Sequence, residues 1–238
     1  MRFSIGKFFS RKYSSRPENV SQPEKACPQP EKACSQPEKA CSQPEKTCPR
    51  RLIDTRTLNL VDLNEGDPVP PYAILSHRWI QGQEISYQEF LDGDEETRSK
   101  SGYLKIAAAC VTACEDKINF IWVDTCCIDK GSHEDVVRNI RSMYAYYRNA
   151  RVCYAHLADM KLLVTDGMKI DEMWRKRFLH SEWFKRGWTL QELLAPKKVV
   201  FFDQSWVPVG TKQSLKEMIS YVTNIPSARL EPAASVRL

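Results

Sequence analysis

From residue 51 onward the apolar positions fall into two rhythms. Four short runs are apolar at nearly every position and bounded by polar or turn residues, the mark of strands buried on both faces. They are YAILS at 72–76, which follows Pro70 and Pro71, FIWVD at 120–124, RVCYAHL at 151–157 and KVVFF at 198–202. Between them the spacing turns helical. In YLKIAAACVTACEDK (103–117), Leu104, Ala107, Ala108, Val111 and Cys114 recur at the interval of an amphipathic helix. Ser132 stands as an N-cap before HEDVVRNIRSMYAYYRNA, where Val136, Ile140, Met143 and Tyr147 share one face. Further helices are expected around 171–179 and from Ser214 to about Val222.

Strands alternating with helices, each strand apolar on both sides, predict an α/β fold. Its core is a mostly parallel sheet, flavodoxin-like, flanked by helices on both faces. In such sheets ligands bind beyond the carboxyl ends of the strands. The positions to inspect are therefore Ser76, His77, Arg78 and Trp79 after the first run, and Asp124, Thr125, Cys126, Asp129 and Lys130 after the second. His156 and Asp159 follow the third. Strand ends lead into polar loops in any protein, so this enrichment is a pointer and not yet a site.

The first 50 residues break both rhythms. Residues 21–48 repeat as SQPEKAC, PQPEKAC, SQPEKAC and SQPEKTC. A seven-residue period suggests a coiled coil, but Pro23, Pro30, Pro37 and Pro44 would interrupt a helix every second turn. With so little apolar bulk the segment cannot offset its ordering entropy, so an extended, disordered spacer is expected. Ahead of it, MRFSIGKFFSRKYSSR carries five basic residues and no acid. It resembles a transit peptide or a membrane-surface segment, although a solvated basic tail is the simpler reading. The division expected is a disordered leader and repeat (1–50), a lead-in (51–71), one globular domain (72–225) and a tail (226–238).

Charge changes the picture at one point. The chain of 238 residues has a net charge of +5, all of it accounted for by the leader; the remaining 222 residues hold 30 basic and 30 acidic groups. A neutral folded body argues against a nucleic-acid-binding surface. No run approaches the ~18 to 20 apolar residues that span a bilayer, so no integral membrane segment is expected. Of nine cysteines, Cys27, Cys34, Cys41 and Cys48 belong to the repeat, and their equal spacing fits neither a zinc pattern nor a disulfide scaffold. The other five, Cys110, Cys114, Cys126, Cys127 and Cys153, sit in apolar patterns and read as reduced core thiols. A cytoplasmic protein without a metal is the expectation.

One stretch stands apart. RGWTLQELLAP (186–196) has a bland explanation in TLQE, a capping box in which Thr189 and Glu192 exchange bonds with each other's backbone amides. Trp188 would be its hydrophobic staple and Pro196 the helix stop.

Together, PPYAILSHRW, FIWVDTCCIDK, SMYAYYRNARVCYAHLAD and WFKRGWTLQELLAP resemble, in order, the blocks of the fungal heterokaryon incompatibility (HET) domain, over roughly residues 70–224. The resemblance implies nonself recognition ending in programmed death of fused cells. It also implies self-association and NACHT/NLR-type or other incompatibility proteins as partners. More distantly, AILSHRW is similar to the first strand and Ser-x-Arg loop of Toll/interleukin-1 receptor (TIR) domains, matching Ser76 and Arg78. FIWVDTCCIDKG is similar to their second strand, with Asp124, and GWTLQEL to the segment in which Trp188 is followed four residues later by Glu192.

In TIR domains that cleave NAD the matching glutamate is catalytic. This resemblance makes Glu192 the candidate catalytic residue, and Ser76, Arg78, Trp79, Asp124 and Trp188 candidates for contact with NAD as substrate. No cofactor would be required. His77 in place of the usual aromatic, Thr189 in place of a common cysteine, and a longer span before Trp188 depart from that pattern. A non-enzymatic adaptor and a degenerate family member are the alternatives.

Overall fold

A computed structural model describes residues 48–64, 66–162 and 172–231. The basic leader and nearly all of the repeat therefore lie outside the described residues, as do residues 232–238 of the tail. Two short strands come first, β1 (Arg51–Asp54) and β2 (Leu60–Asp62), followed by β3 (Tyr72–His77). Helices α1 (Tyr87–Asp92), α2 (Glu95–Ser99) and α3 (Ser101–Glu115) lead to β4 (Phe120–Trp122). Helix α4 (His133–Asn149) leads to β5 (Val152–His156), and α5 (Glu172–Leu179) and α6 (Thr189–Leu194) to β6 (Val199–Phe202). The hairpin strand β7 (Pro208–Thr211) and α7 (Lys216–Thr223) follow.

The seven strands form one sheet in the order β2-β1-β4-β3-β5-β6-β7. Its centre, β4-β3-β5-β6, is parallel, and these are the four strands the apolar runs predict. The edges are antiparallel: β1 on β4, β2 on β1, and β7 on β6. The α/β class is therefore as expected, with a mixed rather than uniformly parallel sheet.

The edge strands escape the hydrophobic pattern for physical reasons. Arg51 in β1 is buried at 8% exposure, its guanidinium bonded to Asp135 (2.7 Å) and to the Cys127 carbonyl (3.0 Å), so a charged letter conceals a core strand. Strand β7 opens on Pro208, which an edge strand tolerates but which reads as a turn.

Strand order fixes where a site can form. The chain leaves β3 towards β4 and then returns past it to β5, so the order reverses at β3. Right-handed crossovers place α3 on one face of the sheet and α4 and α6 on the other. Because side chains alternate along a strand, Ser76 and His77, the last residues of β3, face opposite layers. Ser76 enters the α4/α6 layer, where Trp122 meets Tyr146 and Tyr147 edge-on and Trp183 packs on Phe201. His77 enters the α3 layer. Among the described residues no helix is long and apolar enough to cross a membrane.

Candidate functional site

Helix α6 begins one residue before the capping box would allow. Trp188 is already helical (φ −84°, ψ −17°), and no side chain caps the helix. Thr189 turns inward and donates its hydroxyl to the Trp183 carbonyl at 2.6 Å. Thr189, Glu192 and Leu193 are buried, the i, i+3, i+4 pattern of a core-facing stripe. Trp188 is 49% exposed and staples nothing. The capping-box reading of TLQE is thus corrected: Glu192 is carried into the protein, not back to the Thr189 amide.

There the carboxylate is 3% exposed and closely bonded. Ser76 Oγ donates to Oε2 at 2.6 Å, and Arg186 forks onto it with Nη1–Oε2 at 2.8 Å and Nη2–Oε1 at 3.1 Å. Tyr147 adds a long contact to Oε1 at 3.4 Å. Burial, reinforced by the charge of Glu192, raises the Tyr147 phenol well above its ordinary range, so it remains a donor. Ser76 in turn accepts from the Trp183 indole at 2.8 Å, which fixes the hydroxyl's direction. Two of the expected site residues, Ser76 and Glu192, are therefore in direct contact.

The other candidates make no hydrogen bond to Glu192 among the described residues. Trp79 donates its indole N–H to Asp124 Oδ2 at 3.0 Å, and Lys130 Nζ sits 3.9 Å over the Trp79 ring. Arg78 is exposed, and its guanidinium has no partner among the described residues. The cation on Glu192 is Arg186 instead.

On the other face of the sheet, His77 Nε2 lies 3.4 Å from Glu84 and 3.7 Å from Asp124. Lys105 Nζ binds both Glu84 oxygens, at 2.7 and 2.9 Å. Burial alone would raise the Glu84 pKa, but His77 and Lys105 outweigh it and bring it down to about 2. His156, opposite His77 in the β3–β5 register, stacks on Trp206 at 5.0 Å. Burial and then the Lys105 charge lower its pKa to about 4. Among the described residues neither histidine makes a well-aligned hydrogen bond through its ring. Among the described residues no group of three or more His, Cys, Asp or Glu is arranged to hold a metal ion.

A sequence model of the family described as "Heterokaryon incompatibility protein (HET)" matches residues 72–169. The chain is also 44% identical over 166 residues to the vegetative incompatibility protein HET-E-1 of Podospora anserina, an alignment covering 69% of this chain and 12% of that protein. The chain belongs to the HET-domain family. It spans only a small part of the relative it matches. No solved structure matches the chain.

The HET match opens at Tyr72, the first residue of β3, so it includes Ser76 and stops before Glu192. Three residues around that carboxylate escape a reading of the sequence: Tyr147, Trp183 and Arg186. Tyr147 looks like one more apolar position on the α4 stripe. Trp183 and Arg186 stand within the WFKRGWTLQE block, but only the turn Glu182–Lys185 folds them back over α6. Their proximity in sequence was the available signal; the direction of the turn was not.

Proposed function

We propose that this HET domain triggers programmed death of fused cells in nonself recognition, and that it does so by cleaving NAD with Glu192 beside the scissile bond. The observation carrying this reading is the 2.6 Å bond between Ser76 and Glu192. It joins a serine at the carboxyl end of β3 to the α6 carboxylate where the strand order reverses, the position at which α/β sheets bind ligands.

The chemistry suits one oriented carboxylate. The bond between ribose C1′ and the pyridinium nitrogen breaks, and its electron pair leaves with nicotinamide, which becomes neutral. Water adds at C1′ and releases a proton, giving ADP-ribose. Positive charge builds on the sugar on the way, and Glu192 stabilises it while accepting a hydrogen bond from a ribose hydroxyl. Nicotinamide is already a good leaving group, so no general acid is needed. The exposed guanidinium of Arg78 suits the pyrophosphate, and the half-exposed rings of Trp79 and Trp188 suit stacking on a base.

A docking role without catalysis is the second reading. It is favoured by the saturation of Glu192, since a carboxylate so fully bonded can serve as structure alone. Clustered, purified protein separates the two. Nicotinamide release is expected from wild type, falling about 10²- to 10³-fold in Glu192→Gln, which keeps the shape but not the charge. Clustered wild type that leaves NAD intact, or Glu192→Gln that kills cells as wild type does, sinks the enzymatic reading.

A further inference from the structure

The donors on Glu192 differ in kind. Ser76 and Tyr147 are 0% and 1% exposed and belong to β3 and α4, and Trp183, which orients Ser76, is also 1% exposed. These groups cannot leave without opening the core. Arg186 is different. Its side chain is 19% exposed, and among the described residues it is the one donor to the carboxylate that carries charge. It follows the short turn Glu182–Lys185 on extended backbone (φ −78°, ψ 140°). Next comes Gly187, around which a Cβ would meet nothing within 4 Å, and then the half-exposed Trp188. Little packing holds the segment that delivers the guanidinium.

The position of that guanidinium matters. A planar cation forked onto the carboxylate stands where the positive charge of a cleaving ribosyl group would have to develop. It satisfies both oxygens and covers the carboxylate from solvent. Substrate and Arg186 therefore compete for one acceptor. We propose that Arg186 is an internal plug: it occupies the cation niche of Glu192 in the resting domain, and must withdraw before a ribosyl substrate can bind there. This rests on the catalytic reading of Glu192 and adds its regulation. With Arg186 withdrawn, Ser76 and Tyr147 remain to orient the carboxylate, so opening requires movement of the 185–188 segment alone.

Two readouts on the full chain separate the plug from the catalysis. The first is chemical: carbodiimide coupling of a small amine to Glu192, quantified by peptide mass spectrometry, which needs no turnover. Arg186→Gln should raise coupling at Glu192 about tenfold over wild type, the population shift expected on losing a forked, charge-assisted pair. Other carboxylates should couple as before. The second is nicotinamide release from unclustered protein, expected to rise in Arg186→Gln and to vanish in Arg186→Gln combined with Glu192→Gln.

Unchanged coupling at Glu192 in folded Arg186→Gln overturns the plug. Increased coupling without nicotinamide release, clustered or not, leaves the cover in place and overturns the catalytic reading. Should Arg186→Gln fail to fold, Arg186→Lys decides. It keeps the charge but not the fork, so coupling above wild type supports the plug and coupling equal to wild type overturns it.

Discussion

Ser76 and His77 are neighbours on one strand, yet they lead into opposite kinds of polar core. On the α4/α6 face the network is complete: a carboxylate meets a hydroxyl, a phenol and a guanidinium fork, and the hydroxyl meets an indole. On the α3 face Glu84 is matched by Lys105 and Asp124 by the Trp79 indole, but among the described residues the imidazoles of His77 and His156 are left without aligned bonds. Both sets are buried. The difference teaches where response can lie. The complete network breaks only when a member is removed or displaced, whereas the incomplete one is sensitive to a proton.

The largest expected effect breaks the complete side. Glu192→Ala strips the acceptor from Arg186, Ser76 and Tyr147 together. A cation left without its buried partner typically costs 3–5 kcal/mol, and because Arg186 can partly reach water the lower end, about 3 kcal/mol, is expected. Urea unfolding measures it. A loss below about 1 kcal/mol, the ordinary range of exposed ion pairs, would show that the fork contributes as a surface pair does.

The second effect belongs to the incomplete side. His156 titrates at about 4 in the fold against 6.5 unfolded. Its folded pKa is depressed, so between these values the unfolded chain binds the extra proton and stability falls as pH drops. From pH 7.5 to 5 the loss from this residue is about 2 kcal/mol. Glu84, held at about 2 against 4.5, adds a loss in the same direction once pH falls below 4.5. Replacing His156 with Gln should flatten the profile between pH 6.5 and 5. An equally steep decline in that variant would place the proton uptake elsewhere.

Much of this architecture can be read from the letters, and the failures are instructive. The four parallel strands and the Ser132-capped helix follow from burial on both faces and from a side-chain oxygen placed before an amphipathic run, which are local properties. Strand β1 depends on partners distant in sequence, since Asp135, 84 residues away, meets the Arg51 charge, while β7 is a hairpin partner of β6 concealed by its opening proline. The candidate site is legible to the same degree. Ser76 and Glu192 could be singled out, but the Arg186 fork required knowing how a turn folds.

Two similar motifs sharpen the point and yield the smallest effect. Ser86-x-x-Glu89 and Thr189-x-x-Glu192 carry the same signature. At α1 it is a true box: Ser86 Oγ accepts from the Glu89 amide at 3.3 Å while Glu89 accepts from the Ser86 amide at 2.8 Å, and Gly93 closes the helix at φ 55°. At α6 the hydroxyl and the carboxylate are both drawn inward, because Trp183 offers a carbonyl and Ser76 and Arg186 offer donors. Ser86→Ala should therefore fray α1 and lower stability by about 1 kcal/mol, the usual value of a lost N-cap. Thr189→Ala should leave helix content unchanged, because no cap is lost. Its cost, about 1 kcal/mol, comes from orphaning the Trp183 carbonyl, and it should register in Trp183 fluorescence rather than in far-ultraviolet circular dichroism. Equal loss of helix signal in both variants would return Thr189 to the role of a cap and remove the distinction between a motif that ends a helix and one that builds a site.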